Sequence, residues 1–101
     1  MKKEYKINYL PSAQEDLEDI ITYITRDSPN QAKEVLTKFD ESISHLAQFP
    51  LKGIIPKDLR LQHIGYRILV VEKYLIFYVV KNDEIEIRRV VLGSRKFYFI
   101  L

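Results

Sequence analysis

The sequence predicts an α+β fold, an antiparallel sheet of about four strands in β-α-α-β-β-β order with an N-terminal helical hairpin packed on one face. Three observations predict it. Aromatic and β-branched residues fill 66–71, 74–80 and 84–92, interrupted only by the polar pairs Glu72-Lys73 and Asn82-Asp83. That is the pattern of a three-strand meander with two tight hairpins. Upstream, two stretches of helical periodicity meet at Ser28-Pro29, and a short alternating segment precedes them.

Taken in order, Glu4-Tyr5-Lys6-Ile7-Asn8-Tyr9-Leu10 alternates polar and apolar, which predicts a strand with Tyr5, Ile7 and Tyr9 on one face and Pro11 as its end. Ser12-Ala13-Gln14-Glu15 has the form of a capping box. Ala13, Leu17, Ile20, Ile21 and Ile24 then fall on one helical face, and Glu15, Asp16, Glu18 and Asp19 suit the positive end of the helix dipole. Ser28-Pro29-Asn30-Gln31 supplies an N-cap and a proline at the first helical position of a second helix. Its stripe is Ala32, Val35, Leu36, Phe39, Ile43, Leu46 and Ala47, and Phe49-Pro50 stops it. So short a connection makes the pair an antiparallel hairpin. Each large aliphatic side chain gains roughly 1.5–3 kcal/mol on burial, so the hairpin must dock on the sheet.

Residues 50–65 are the least patterned, and Pro50, Gly53, Pro56 and Gly65 exclude a long regular element. Leu51, Ile54, Ile55 and Leu59 are expected to pin this loop to the core and leave Lys52, Lys57 and Arg60 exposed. In 74–80 almost every residue is apolar, as in a central strand covered on both faces. Alternation in 84–92 puts Ile85, Ile87, Arg89 and Val91 on one face and Glu86, Arg88, Val90 and Leu92 on the other. At least one of the two arginines must then be partnered or lie at the sheet rim. The face away from the helices is expected to be concave, partly covered, and ringed by Arg67, one of Arg88 or Arg89, and Arg95.

At 101 residues the chain makes one domain, 1–101. It holds 47% hydrophobic and 30% charged residues, which excludes a disordered chain. No apolar run approaches a membrane span. The basic start Met1-Lys2-Lys3, followed at once by Glu4, does not read as a secretion signal. With no cysteine there is neither a disulfide framework nor a thiolate metal site, and the cytoplasm is the expected compartment. Charge is uneven: residues 1–50 carry six Lys/Arg against nine Asp/Glu, and residues 51–101 carry ten against five. A basic sheet half suits a nucleic-acid or acidic-protein partner, or is uneven solvated charge.

The sequence resembles the RelE/ParE superfamily of bacterial toxins, from type II toxin–antitoxin modules. The resemblance rests on the acidic first helix Pro11-Ser12-Ala13-Gln14-Glu15-Asp16-Leu17-Glu18-Asp19-Ile20-Ile21-Thr22-Tyr23-Ile24 and on the helix end Leu46-Ala47-Gln48-Phe49-Pro50. It continues through Gly65-Tyr66-Arg67, Leu75-Ile76-Phe77-Tyr78-Val79-Val80 and Arg89-Val90-Val91-Leu92-Gly93-Ser94-Arg95. It implies a small toxin neutralised by a cognate antitoxin. RelE-like members cleave mRNA in the ribosome; ParE-like members poison DNA gyrase and have no known nuclease residues.

Metal-independent RNA cleavage needs an activated 2′-hydroxyl, cations for the phosphorane and an acid for the leaving oxygen. The resemblance places Arg67 and Arg95 at the family's basic positions, and Tyr98 near its C-terminal tyrosine. His63 is a candidate general base, since histidine is the side chain that titrates near neutrality, or a solvated loop residue. Lys52, Lys57, Arg60, Arg88, Arg89 and Lys96 are candidate RNA-binding residues. His45, off the apolar stripe, reads as a surface residue, and Tyr66, Tyr74 and Tyr78 as sheet packing before base stacking. Against cleavage, Leu69 and Leu75 stand where the RelE pattern has cations, and the histidine-tyrosine ending of the YoeB-like branch is missing. One positioned donor is typically worth roughly 2.7–4 kcal/mol of barrier.

No metal or other cofactor is expected: His45 and His63 lack ligand spacing. The leading reading is a toxin acting on mRNA in the ribosome, with a cognate antitoxin as partner. The alternatives are a gyrase-inhibiting toxin without nuclease activity and a small RNA-binding domain. The tail Phe97-Tyr98-Phe99-Ile100-Leu101 is expected to pack on the sheet or against the antitoxin.

Overall fold

The computed structural model describes residues 4–93. The expectations for Arg95, Lys96, Tyr98 and the apolar tail lie outside them. Strand β1 (Lys6–Tyr9) leads into helix α1 (Pro11–Asp27) and helix α2 (Pro29–Leu46); a connecting segment follows, containing a short helix α3 (Leu59–Ile64). The meander β2 (Tyr66–Val71), β3 (Tyr74–Lys81) and β4 (Glu84–Leu92) follows. Both hairpins turn where expected, with Glu72 and Asn82 at positive φ of 55° and 54°. The sheet order is β1-β4-β3-β2.

The α+β class and the helical hairpin are as expected, but the sheet is mixed, because β1 runs parallel to β4 from Lys6↔Glu84 to Tyr9↔Ile87. A two-residue turn forces antiparallel pairing, whereas the long helical excursion between β1 and the meander imposes no such constraint. The first helix also begins differently. Pro11 occupies its first position, Leu10 is the N-cap without a side-chain bond, and no acid falls in the first turn. The capping box at Ser12 therefore does not form, because proline's fixed φ starts the helix ahead of it.

The second helix does start as read: the Ser28 hydroxyl accepts the Gln31 amide at 3.2 Å. Ser28 also closes α1 through its own amide on the Ile24 carbonyl. Ser28→Ala is expected to lower stability by about 1 kcal/mol, measured by urea denaturation with an unchanged slope.

Two cores sandwich β3. On the helical side Phe39, Ile43 and Leu46 of α2 and Ala13 of α1 meet Leu69, Val71, Tyr74, Ile76, Tyr78, Ile85, Ile87 and Val90. Tyr5, Ile7 and Tyr9 join this side, as their alternation predicts. Phe39 meets Tyr74 edge-on, with ring centroids 5.5 Å apart. On the opposite side, Leu61 of α3 packs with Tyr66, Phe77, Val79 and Val91. That side is thus a second, smaller apolar core.

Two sequence expectations fail in this region. The register of β4 shifts between Phe77 and Tyr78, whose partners are Arg89 and Ile87, so one residue is inserted at Arg88. Alternation breaks there: Ile85, Ile87, Val90 and Leu92 share the helical side while Val91 lies on the other. Nor do Leu51, Ile54, Ile55 and Leu59 pin the connecting segment, being 54–78% exposed. Gly53, Pro56 and Leu61 are buried instead. Polar groups hold the segment, and they leave its aliphatic side chains outside.

Candidate functional site

The basic residues expected to gather on an open face are distributed over three separate settings. Arg67 shares strand parity with Leu69 and Val71 and so belongs to the helical side rather than the opposite face. Its guanidinium donates to the carbonyl oxygens of Leu51 at 3.1 Å and Gly53 at 3.0 Å. Beside it the buried Tyr78 hydroxyl donates to the Pro50 carbonyl at 2.7 Å and accepts the Gly53 amide at 2.8 Å. A Cβ built on Gly53 would meet the Tyr78 oxygen at 2.6 Å, so only glycine admits this approach. Burial pushes the Tyr78 hydroxyl above the ordinary tyrosine pKa, partly offset by the Gly53 bond and the Arg67 charge. The three residues form a clamp on the segment after α2.

Arg88, the inserted residue, lies over the Tyr66 ring with its guanidinium carbon 5.3 Å from the centroid, and it donates to Glu86 at 2.9 and 3.2 Å. Arg89 donates to both carboxylate oxygens of Asp16 on α1, at 2.8 and 3.0 Å. The same carboxylate accepts the Val90 amide at 2.9 Å. That amide lies on the stretch of β4 beyond Ile87, where β1 has ended. Asp16 thus supplies the acceptor that a further strand would have supplied. Both arginine pKa values are raised; the Asp16 hydrogen bond is the main cause at Arg89, whereas at Arg88 bonds to Tyr66 and Glu86 outweigh desolvation.

His63 is exposed on α3 and shares no hydrogen bond or ion pair with Arg67. Lys57 and Arg60 are also exposed. Lys52 places its Nζ 3.2 Å from Nδ1 of His45, which is the surface residue expected, its ring 4.8 Å from that of Phe49. Tyr66, Tyr74 and Tyr78 are buried in the packing, as read. The structure therefore brings together Arg67 with Tyr78, and Arg88 with Tyr66, but does not gather Arg67 and His63. Among the described residues, no three His, Asp or Glu side chains cluster as metal ligands, and no helix is long and apolar enough to cross a membrane.

Sequence reasoning missed Asp16, whose partners lie 73 and 74 positions away. A signal was present: Asp16 stands three residues after Ala13 and one before Leu17, at the margin of the apolar arc of α1. An acid on a buried helical face requires a donor. Tyr78 carried no equivalent signal, since its partners are main-chain groups of an unpatterned segment.

Comparison with known proteins places this geometry. Residues 7–97 match the family model for the ParE toxin of the type II toxin–antitoxin system parDE. The chain superposes on a structure described as the chromosomal ParDE TA system from P. aeruginosa, with a TM-score of 0.74 and 22% identity over 90% of this chain and 98% of that one. A conserved hypothetical protein from Helicobacter pylori, solved in solution, aligns at a TM-score of 0.49 and 21% identity, covering 90% of this chain and 97% of that one. Comparison with curated protein sequences finds no match. With the match to the family model spanning nearly the whole sequence, the chain belongs to the ParE toxin family of type II toxin–antitoxin modules.

Proposed function

We propose that this toxin, whose family implies a cognate antitoxin, arrests growth in the cytoplasm by binding a protein target without cutting RNA. DNA gyrase is the target that the ParE-like branch points to. The observation that carries this reading is the state of the strand arginines. Arg67 is engaged by the Leu51 and Gly53 carbonyls, Arg88 by Glu86 and Arg89 by Asp16. Catalysis of phosphoryl transfer rests on donors aimed at developing negative charge, and these three already hold protein acceptors. Leu69 is buried in the helical core and Leu75 packs on the smaller one, where a RelE-like site would need cations. His63, the candidate base, is exposed on α3 and has no hydrogen bond to Arg67.

The test is induction in a bacterial host with parallel readouts of DNA damage response, protein synthesis and mRNA integrity, joined to a gyrase supercoiling assay with the purified chain. The expected result is a DNA damage response, inhibited supercoiling and uncut mRNA. Codon-phased mRNA cuts with normal gyrase activity would establish the nuclease reading instead.

A further inference from the structure

The first turn of α3 carries an exposed leucine between two cations of the chain. Leu59 is 78% exposed, and the exposed Lys57 and Arg60 stand two residues before it and one after. Its setting is fixed. The Asp58 carboxylate caps α3 by accepting the Arg60 and Leu61 amides at 2.8 and 3.2 Å. The Gln62 side chain donates to the Pro56 carbonyl at 2.8 Å, and Leu61 is wholly buried with Tyr66 and Phe77. A braced turn thus holds a large apolar side chain out in water. Leu59 is not a stray residue, since Leu51, Ile54 and Ile55 of the same segment are 54–63% exposed.

The surrounding charge is one-sided. Lys52, Lys57 and Arg60 are exposed here, and Asp58, whose carboxylate is taken up by the cap, is the one acid between residues 49 and 64. Exposed acids stand elsewhere: Glu15, Glu18 and Asp19 lie on α1, which packs on the helical side of the sheet, whereas α3 packs on the other. A polyanion is therefore drawn to the α3 side. Single-stranded nucleic acid is held by cations together with aromatic stacking platforms, whereas the exposed apolar side chains of this segment are aliphatic. Cations flanking an aliphatic wedge are instead the means by which proteins enter the minor groove of a duplex, unstack a base step and bend it.

We infer that this face binds duplex DNA, with Lys52, Lys57 and Arg60 on backbone phosphates and Leu59 inserted at a base step from the minor groove. Phosphate contacts carry no sequence information, so the preferred sites are those that unstack readily, the pyrimidine–purine steps. The choice of DNA over RNA rests on the gyrase reading, since that target works on duplex DNA. A toxin given only a protein target thereby gains a surface for the DNA which that target holds.

The probe is a fluorescent duplex of about twenty base pairs with a central TA step, titrated with the full chain and followed by anisotropy and by energy transfer between end labels. Three phosphate contacts predict that log K falls with log salt at a slope of about −2.7 between about 50 and 200 mM. Lys57→Ala and Arg60→Ala are each expected to reduce that slope by about 1. Leu59→Ala is expected to keep the slope, weaken binding several-fold and abolish a bend of about 20–90°. All three side chains are exposed, so the circular dichroism spectrum stays that of the parent chain. A flat salt dependence, a slope that both cation variants leave alone, or a bend that survives Leu59→Ala would overturn the proposal. So would equal affinity for duplex RNA of the same sequence or for an oligoglutamate peptide. Gyrase inhibition by a chain that binds no duplex would sink this surface and leave the gyrase reading standing. Binding and bending without gyrase inhibition would refute that reading and leave the surface standing.

Discussion

Asp16→Ala is expected to cost about 2–4 kcal/mol, because it removes the acceptor for Arg89 and for the Val90 amide in one step. Both partners are largely covered, with side-chain exposures of 24% for Arg89 and 16% for Asp16, so water does not simply take over the lost bonds. Hydrogen bonds to a charged group contribute about 1.5–3 kcal/mol each and are not additive within one network. For a domain of this size, 1 kcal/mol shifts the melting temperature by about 4–8 °C, so the loss is large in a thermal scan. Asp16→Asn retains an acceptor and should lose about half as much. If Asp16→Ala melts with the parent chain, the carboxylate is not what closes the β4 edge. A double-mutant cycle with Arg89→Met would isolate the pair, its coupling expected to exceed 1 kcal/mol.

Tyr78→Phe is expected to be next in size, at about 2–3 kcal/mol. It removes one oxygen and leaves two main-chain groups, the Pro50 carbonyl and the Gly53 amide, without their partner. The ring stays in the core, so the change tests the hydroxyl alone. It also carries a pH signature. The folded hydroxyl has its pKa raised above the ordinary value of 10.0, chiefly by burial. Below that value both folded and unfolded tyrosines are protonated, and the contribution is fully present. As pH climbs past it the unfolded chain ionises first and binds fewer protons, so stability falls until the folded group ionises too. Tyr78→Phe should flatten part of that alkaline decline, with the remainder reflecting Tyr9, whose pKa is also raised by burial. Urea midpoints measured from pH 8 to pH 11 read both effects, and parallel curves for the two proteins would remove Tyr78 from the account.

The elements most legible in the sequence were those set by local periodicity. The stripe Phe39, Ile43 and Leu46 and the two-sided burial of β3 follow from side-chain spacing alone. Ser28 was readable because an N-cap and the amide that donates to it lie three residues apart. The parallel sense of β1 was not readable, because it depends on where a distant strand ends up. The β4 bulge erased the alternation used to place Arg88 and Arg89, since one inserted residue moves every later side chain to the other face. At the candidate site the partners of the arginines were not legible. Arg67 was expected at the rim of the face away from the helices and is found on carbonyls, which every residue carries and no sequence pattern marks.

The pairing of Lys6–Tyr9 with residues 84–87 has a consequence for how the molecule comes into being. Its first strand can take its place only when almost the last has been made. Synthesis proceeds at roughly 5–20 residues per second, so α2 waits on the order of 2–9 s for β4 to follow it from the ribosome. For the first part of that interval, until β2 and β3 have followed, Phe39, Ile43 and Leu46 have no sheet to meet. Closing so distant a contact late also makes folding slow for the chain's length. The nascent polypeptide therefore lacks this β1–β4 pairing for most of its synthesis.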